Sequence, residues 1–240
     1  MKNIDWANIR LIAILCVTVF LYAFTGKRNE QRNLEKAEIF FADNDKFITK
    51  DAVNKLLIQN FGPVNTIKKV QLDLNKVEKT ISANPMVGRA KVYATVDGKL
   101  IAEITQKQPV ARAFQGTKSY YIDYGGKAMP LSESETARVP LLTGDFNKLD
   151  RKKLKELLNY IYDDDFLRKN ITGISVMSTG YITMSTRGYS YDILFGGPVN
   201  IDRKFKNYKA FLQDATKDTL IENYKTINLK FTEQVVCTKK

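Results

Sequence analysis

Apolar and polar positions divide the chain into one long uncharged run and a series of short periodic ones. Leu11 to Gly26, "LIAILCVTVFLYAFTG", carries no charge between Arg10 and Lys27, which predicts a membrane-spanning helix. After the polar stretch "KRNEQRNLEK" comes "EIFFAD" (Glu38 to Asp43), a predicted strand. From Thr49 onward Val53, Leu56, Leu57 and Asn60 recur at helical spacing with Phe61 beside the stripe, and Gly62-Pro63 stops the helix. A shorter helix begins near Leu74, with Leu74, Val77 and Ile81 on one face, Asp73 as its cap and Asn84-Pro85 at its end. Two alternating strands follow, so this module reads strand, helix, helix, strand, strand.

The register of those two strands follows from which side chains must be kept dry. Ala90, Val92 and Ala94 alternate with Arg89, Lys91, Tyr93 and Thr95, while Leu100, Ala102 and Ile104 alternate with Lys99, Glu103 and Thr105. A two-residue turn at Asp97-Gly98 would set Val92 opposite Glu103 and put charge on the core face. A three-residue loop, Val96-Asp97-Gly98 with Gly98 left-handed, instead pairs Ala94 with Leu100, Val92 with Ala102 and Ala90 with Ile104. It also sets Lys91 opposite Glu103 on the solvent side, a favourable cross-strand pair. The longer loop is the expectation.

The run "LIAEITQKQPVARAF" then meets Pro109. Proline cannot donate to a ladder and forces Gln108 into an extended conformation, so Gln108 and Pro109 are read as a stiff joint between two modules. The second module is mostly strand. "YYIDYGGKAMP" reads as strand, Gly125-Gly126 turn and short strand, and "RVPLLTG" as another extended piece. A helix carries Leu154, Leu157, Leu158 and Ile161. "ITGISVMS", "YITMST" and "SYDILFGG" form a meander, and a last helix presents Phe205, Tyr208, Leu212 and Ala215. The closing "KTINLKF" turns Ile227, Leu229 and Phe231 one way and Thr226, Asn228, Lys230 and Thr232 the other. Read as a final strand, it is a candidate sheet edge able to accept a strand from a partner, although Lys225 and Lys230 equally suit an edge guarded against such pairing.

As a helix the uncharged run spans about 24 Å, short of a hydrocarbon core of about 30 Å, so Arg10 and Lys27 must snorkel, with Trp6 and Tyr22 as interfacial anchors. Neither Leu21-Tyr22-Ala23 nor Ala23-Phe24-Thr25 offers two small residues for signal cleavage, which predicts an uncleaved single-span anchor. Lys27, Arg28, Arg32 and Lys36 outnumber Lys2 and Arg10, so local charge favours the opposite orientation. Long domains translocate largely regardless of charge, and a short cytoplasmic tail with the bulk outside is adopted. The division is therefore a tail at 1–10, a span at 11–26, a juxtamembrane linker at 27–36, a first module at 37–108 and a second at 109–240.

Composition removes most catalytic chemistry. With no histidine in 240 residues, a Ser-His-Asp triad, a Cys-His pair and the commonest zinc ligand are excluded. Cys16 and Cys237 have no metal-ligand spacing, and Cys237 reads as a lone thiol. Asp163-Asp164-Asp165 at a helix end point in different directions and read as solvated, so no metal site is expected. The net charge of +12 suits an anionic partner, and a membrane-anchored basic ectodomain that binds a cell-wall polymer or nucleic acid is the alternative function. The basic residues are scattered in short clusters such as Lys68-Lys69 and Arg203-Lys204, however, so no nucleic acid is expected.

In order along the chain, the short tail, single span and strand-helix-helix-strand-strand module, then "VGRAKVYATVDGKLIAEITQKQPVARAF", "YYIDYGGKAMPL", "VPLLTG" and "YKTINLKFTEQVV", resemble the bacterial cell-division family FtsQ/DivIB. The "KQPVA" joint and the "IDYGG...VPLLTG" run are the most specific parts. The resemblance implies an α+β protein with one N-terminal transmembrane helix. A POTRA-like β-α-α-β-β domain and a mostly antiparallel β domain with two helices would follow. It also implies a single-pass protein of the plasma (inner) membrane with its folded domains extracytoplasmic at the division septum. Such a protein is not an enzyme and has no cofactor. Its role would be a divisome scaffold that binds the FtsB/FtsL coiled-coil pair and other division proteins, links early and late components, and regulates septal peptidoglycan synthesis.

In that family the FtsB partner adds a strand beside the last strand of the β domain, near an aromatic residue. The matching aromatic is Phe231 in "NLKF", with Lys230 and Thr232 as neighbours and Val235 and Val236 as further surface. Phe231 lacks the hydroxyl of the better-known members' tyrosine, and "EQVVCTKK" lacks the tryptophan that some carry. Phe231 also shares its face with Ile227 and Leu229, which fits a core position as well as a contact.

Overall fold

A computed structural model describes residues 6–43, 47–217 and 220–240. Lys2 and the other residues before Trp6, expected in the tail, lie outside them. Helix α1 runs Trp6–Gln31, 26 residues or about 39 Å at 1.5 Å each, so the uncharged run is only the middle of a helix long enough to span a membrane. The uncharged run keeps its length of about 24 Å, and helix continues beyond it into the second half of the tail and into the linker as far as Gln31. The Thr18 and Thr25 hydroxyls donate to the Leu15 and Leu21 carbonyls at 2.8 and 2.7 Å, which closes these polar groups within the helix.

The rest of the expected linker belongs to the first module. Leu34 is buried in its core; its amide donates to Ile67 O at 2.9 Å, and the amide of Leu100 donates to Lys36 O at 2.9 Å. A single leucine among polar residues offers no periodicity by which to see this.

The chain divides into two compact units, Met1–Gln106 and Lys107–Lys240. In the first, β1 (Ala37–Phe41), α2 (Lys50–Phe61), α3 (Leu74–Ser82), β2 (Val87–Ala94) and β3 (Leu100–Gln106) follow one another. Asp73 accepts the Lys76 amide at 3.1 Å, so the predicted cap forms, and the Thr49 hydroxyl caps α2 by accepting the Ala52 amide, also at 3.1 Å. The sheet order is β1-β3-β2, with β1 parallel and β2 antiparallel to the central β3. Ala94, Val92 and Ala90 stand opposite Leu100, Ala102 and Ile104 as the dry face requires, and Gly98 takes φ 95° in the three-residue loop. Lys91 stands opposite Glu103, but no ion pair joins them. The Tyr93 hydroxyl donates to Glu103 at 2.9 Å, and the Lys91 ammonium lies 5.9 Å above the Tyr93 ring.

In the second unit the elements are β4 (Pro109–Gln115), β5 (Lys118–Asp123), β6 (Ala128–Met129), β7 (Leu141–Gly144), α4 (Arg151–Asp163), α5 (Asp165–Asn170), β8 (Ile171–Val176), β9 (Ile182–Thr186), β10 (Asp192–Gly196), α6 (Ile201–Ala215), β11 (Tyr224–Asn228) and β12 (Val236–Lys239). Among the described residues they make one nine-stranded sheet, β12-β11-β10-β9-β8-β7-β4-β5-β6. The meander β8-β9-β10 is antiparallel, whereas β7 is parallel to both β4 and β8, and β10 is parallel to β11. The parallel joins β7 to β8 and β10 to β11 are the ones that need helical crossovers, supplied by α4 with α5 and by α6. The stripes predicted on α4 and α6 are buried in one core with the strands.

Pro109 is the first residue of β4, a position where the missing amide hydrogen costs no ladder bond, and a register shift follows it before Ala111. Gln108, expected in the first module, lends its carbonyl to the Tyr124 amide at 2.8 Å within the second unit.

Candidate partner-binding edge

The sequence placed the free margin of the large sheet on the segment ending at Phe231. The structure corrects this: β11 lies between β10 and β12, and the outermost strand is β12. Ile227 is fully buried and pairs with Cys237 across the β11-β12 ladder, and Leu229, just past the strand, donates its amide to Leu194 O at 2.9 Å. The "VVCT" run, with β-branched Val235, Val236 and Thr238, was the signal for this added strand. It was hidden by its brevity and by the lysines that end it.

Between β11 and β12 the chain arches over residues 229–235. Two side chains of α6 hold this arch: Asn207 Nδ2 donates to Thr232 O at 2.8 Å, and the Arg203 guanidinium meets Glu233 at 2.8 Å. Lys230 is fixed differently, its ammonium 4.9 Å above the Tyr181 ring. Phe231, at 52% exposure, is not part of the core and faces solvent on the arch. Val235 and Cys237 pack partly against the core, while Val236 is exposed, as the alternation of a strand dictates. Of the five predicted residues, Val236 lies in the edge strand, and Lys230, Phe231, Thr232 and Val235 lie on the arch that leads into it. Cys237, Thr238 and Lys239 complete the edge, and partial burial pushes the Cys237 thiol pKa up.

Behind the edge α6 is held by polar contacts inside the core. Lys204 is 2% exposed and donates to the carbonyls of Phe195 and Gly197 at 2.8 and 2.9 Å; burial pushes its pKa down. The Tyr208 hydroxyl donates to Asn170 Oδ1 at 2.9 Å and lies 2.9 Å from the Tyr191 hydroxyl, with burial raising the pKa of both phenols. Tyr160 is pushed up to about 12 by burial and then by its hydrogen bond to Asp202.

The three consecutive aspartates diverge, as the helix end predicts. Asp163 accepts from the Tyr124 hydroxyl, Asp164 caps α5 at the Leu167 amide and pairs with Lys209, and Asp165 pairs with Arg168. Partial burial would raise the Asp164 carboxyl, but hydrogen bonds from Lys209 and the Leu167 amide, with the Lys209 charge, outweigh it and hold the group below the usual range.

Among the described residues the chain combines one helix long and apolar enough to cross a membrane, a three-stranded α+β unit and a nine-stranded mixed sheet. A family model described as "FtsQ/DivIB, C-terminal related" matches residues 108–238, and a "POTRA-like domain" model matches 36–105. The chain therefore belongs to the FtsQ/DivIB family of cell-division proteins. It is similar to "Cell division protein FtsQ" of Salinibacter ruber (strain DSM 13855 / M31), with 26% identity over 174 residues that cover 67% of each chain.

Proposed function

We propose that this protein is a non-catalytic bitopic scaffold of the divisome that links early and late division proteins. It would regulate septal peptidoglycan synthesis by holding an FtsB/FtsL-type complex at the outer margin of β12. The observation that carries this reading is that β12 has a paired inner side and, among the described residues, no neighbouring strand on its outer side, next to the exposed Phe231 and Val236. An added strand gains main-chain hydrogen bonds with little demand on side-chain identity, and the apolar rings and methyl groups beside it supply specificity. Phe231 and Val236 make the apolar contact, Lys230 and Thr232 border it, and Val235 sets the angle at which the arch enters β12. Gln108 and Pro109 begin the second unit just past the boundary and would stiffen the entry of the chain into β4. The amino-terminal residues lie in the cytoplasm and both folded units outside the plasma membrane at the septum.

Hydrogen exchange on the full chain in nanodiscs, with and without a soluble FtsB/FtsL-type pair, tests this reading. Protection of the amides of β12 in the complex is expected, and it should persist at raised salt because main-chain bonds are not screened as exposed charges are. Binding with no added protection at β12 overturns it.

A further inference from the structure

The opposite end of the large sheet holds a concavity of about 380 Å³ between the β5-β6 hairpin and α4. Its floor is apolar, with Ile122, Phe146 and Leu158 all buried. Its rim is basic, with Lys127, Arg151 and Lys155 all exposed, and no Asp or Glu lines it. Among the described residues none of these three cations is in an ion pair. Glu156, next to Lys155, does not line the cavity, and three further nearby carboxylates have partners of their own. Asp123 accepts the Lys127 amide at 2.7 Å and meets Lys107 at 3.5 Å; Asp150 caps α4 through the Lys152 and Lys153 amides; Asp145 pairs with Lys148 at 2.7 Å. Three cations around an apolar floor favour an anionic ligand that also carries an apolar group.

The edge strand beside this cavity points to the form of that ligand. β6 is two residues long and covers β5 only at Tyr121 and Ile122, which leaves Lys118 to Tyr120 with no strand on their outer side. Tyr120 itself lines the cavity, so a chain laid along this part of β5 would direct alternate side chains toward the floor. A polyphosphate or a charged sugar polymer would satisfy the rim but leave both the floor and the strand edge unused.

We propose that this cavity binds an acidic peptide segment. An aromatic or aliphatic side chain occupies the floor, flanking carboxylates meet Lys127, Arg151 and Lys155, and the peptide main chain runs along the free part of β5. The site lies at the far end of the sheet order from β12, so it stands independently of the partner edge.

The probe is a fluorescein-labelled peptide with one phenylalanine flanked on each side by two glutamates, titrated by anisotropy against the full chain in phosphatidylcholine nanodiscs at low salt. Saturable binding is expected. It should weaken by about tenfold or more when the glutamates become glutamines, when the phenylalanine becomes alanine, and in the Arg151→Glu/Lys155→Glu protein. Because both side chains are exposed, that variant should keep its melting temperature; Lys127→Glu, at the turn, serves if it does not fold. The proposal is overturned by equal binding of the alanine or glutamine peptide, or by unchanged binding to the charge-reversed protein. Displacement by tripolyphosphate as effective as by unlabelled peptide, or no saturable binding at millimolar peptide, overturns it as well.

Discussion

Asn207 donates its side-chain amide to the carbonyl of Thr232 at 2.8 Å and so ties α6 to the arch that carries Phe231. The arch is otherwise joined to α6 by the Arg203-Glu233 pair, both partners of which are exposed and worth little on their own. The same helix face also packs Phe211 against Tyr224 of β11, ring centroids 5.6 Å apart, so the surface next to β12 depends on α6.

Asn207→Ala should remove about 1 kcal/mol of stability, lower the melting temperature by a few degrees, and speed amide exchange in residues 230–235. Affinity for an FtsB/FtsL-type partner should fall with it. Unchanged exchange in the arch would show that Asn207 does not hold it.

Phe231→Glu places a charge on an exposed position outside the core, so stability should stay within about 0.5 kcal/mol. Partner affinity should drop by about tenfold or more if the ring is desolvated on binding. An equal dissociation constant for the two proteins in a pull-down or interferometry series would remove Phe231 from the interface.

Gly144, the last residue of the "VPLLTG" run, has φ 81°, and a Cβ there would stand 2.1 Å from the carbonyl oxygen of Val176. That oxygen accepts the Asp145 amide at 2.8 Å, so the clash falls on the bond that closes the β7-β8 pair. Gly144→Ala should cost more than about 2 kcal/mol, from backbone strain and the displaced hydrogen bond together. A thermal melt within a degree of the parent would contradict this.

The Asp164-Lys209 pair predicts an acid-dependent term. The Asp164 carboxyl lies below its usual value in the folded chain, so the pair contributes stability above the unfolded carboxyl range of about pH 4 and loses it as pH falls through the lower folded value. Asn at this position still caps α5 but cannot hold the charge. Thermal melts of the parent and Asp164→Asn should therefore differ at pH 7 and converge toward about pH 2. A constant difference across that range would mean the charge contributes nothing.

Where side chains must sort between water and core over several residues, the sequence is legible. The β2-β3 register followed from keeping Val92 away from Glu103, and the stripes of α2, α3, α4 and α6 appear where their spacing puts them. Short elements are not legible in this way. β12 has four residues and α5 six, and only Asp164 separates α5 from the end of α4, so neither leaves a periodic trace of its own. The parallel pairing of β7 with β4 and β8 was equally hidden, since "PLLTG" shows a strand but not its neighbours. The mistaken edge has the same origin. Periodicity continued through Leu229 to Phe231, whereas the chain left the ladder at Asn228 to reach β12.

The alternation of β12 carries a constraint for whatever lies against it. Cys237 turns inward and Val236 outward, so a strand hydrogen-bonded beside them continues the same pleat. In the proposed complex, residues in step with Cys237 would extend the core face and those in step with Val236 would lie beside its exposed side chain, and a slide of one residue would exchange the two sets. The alternation of that short strand would thus set a reading frame for a second protein.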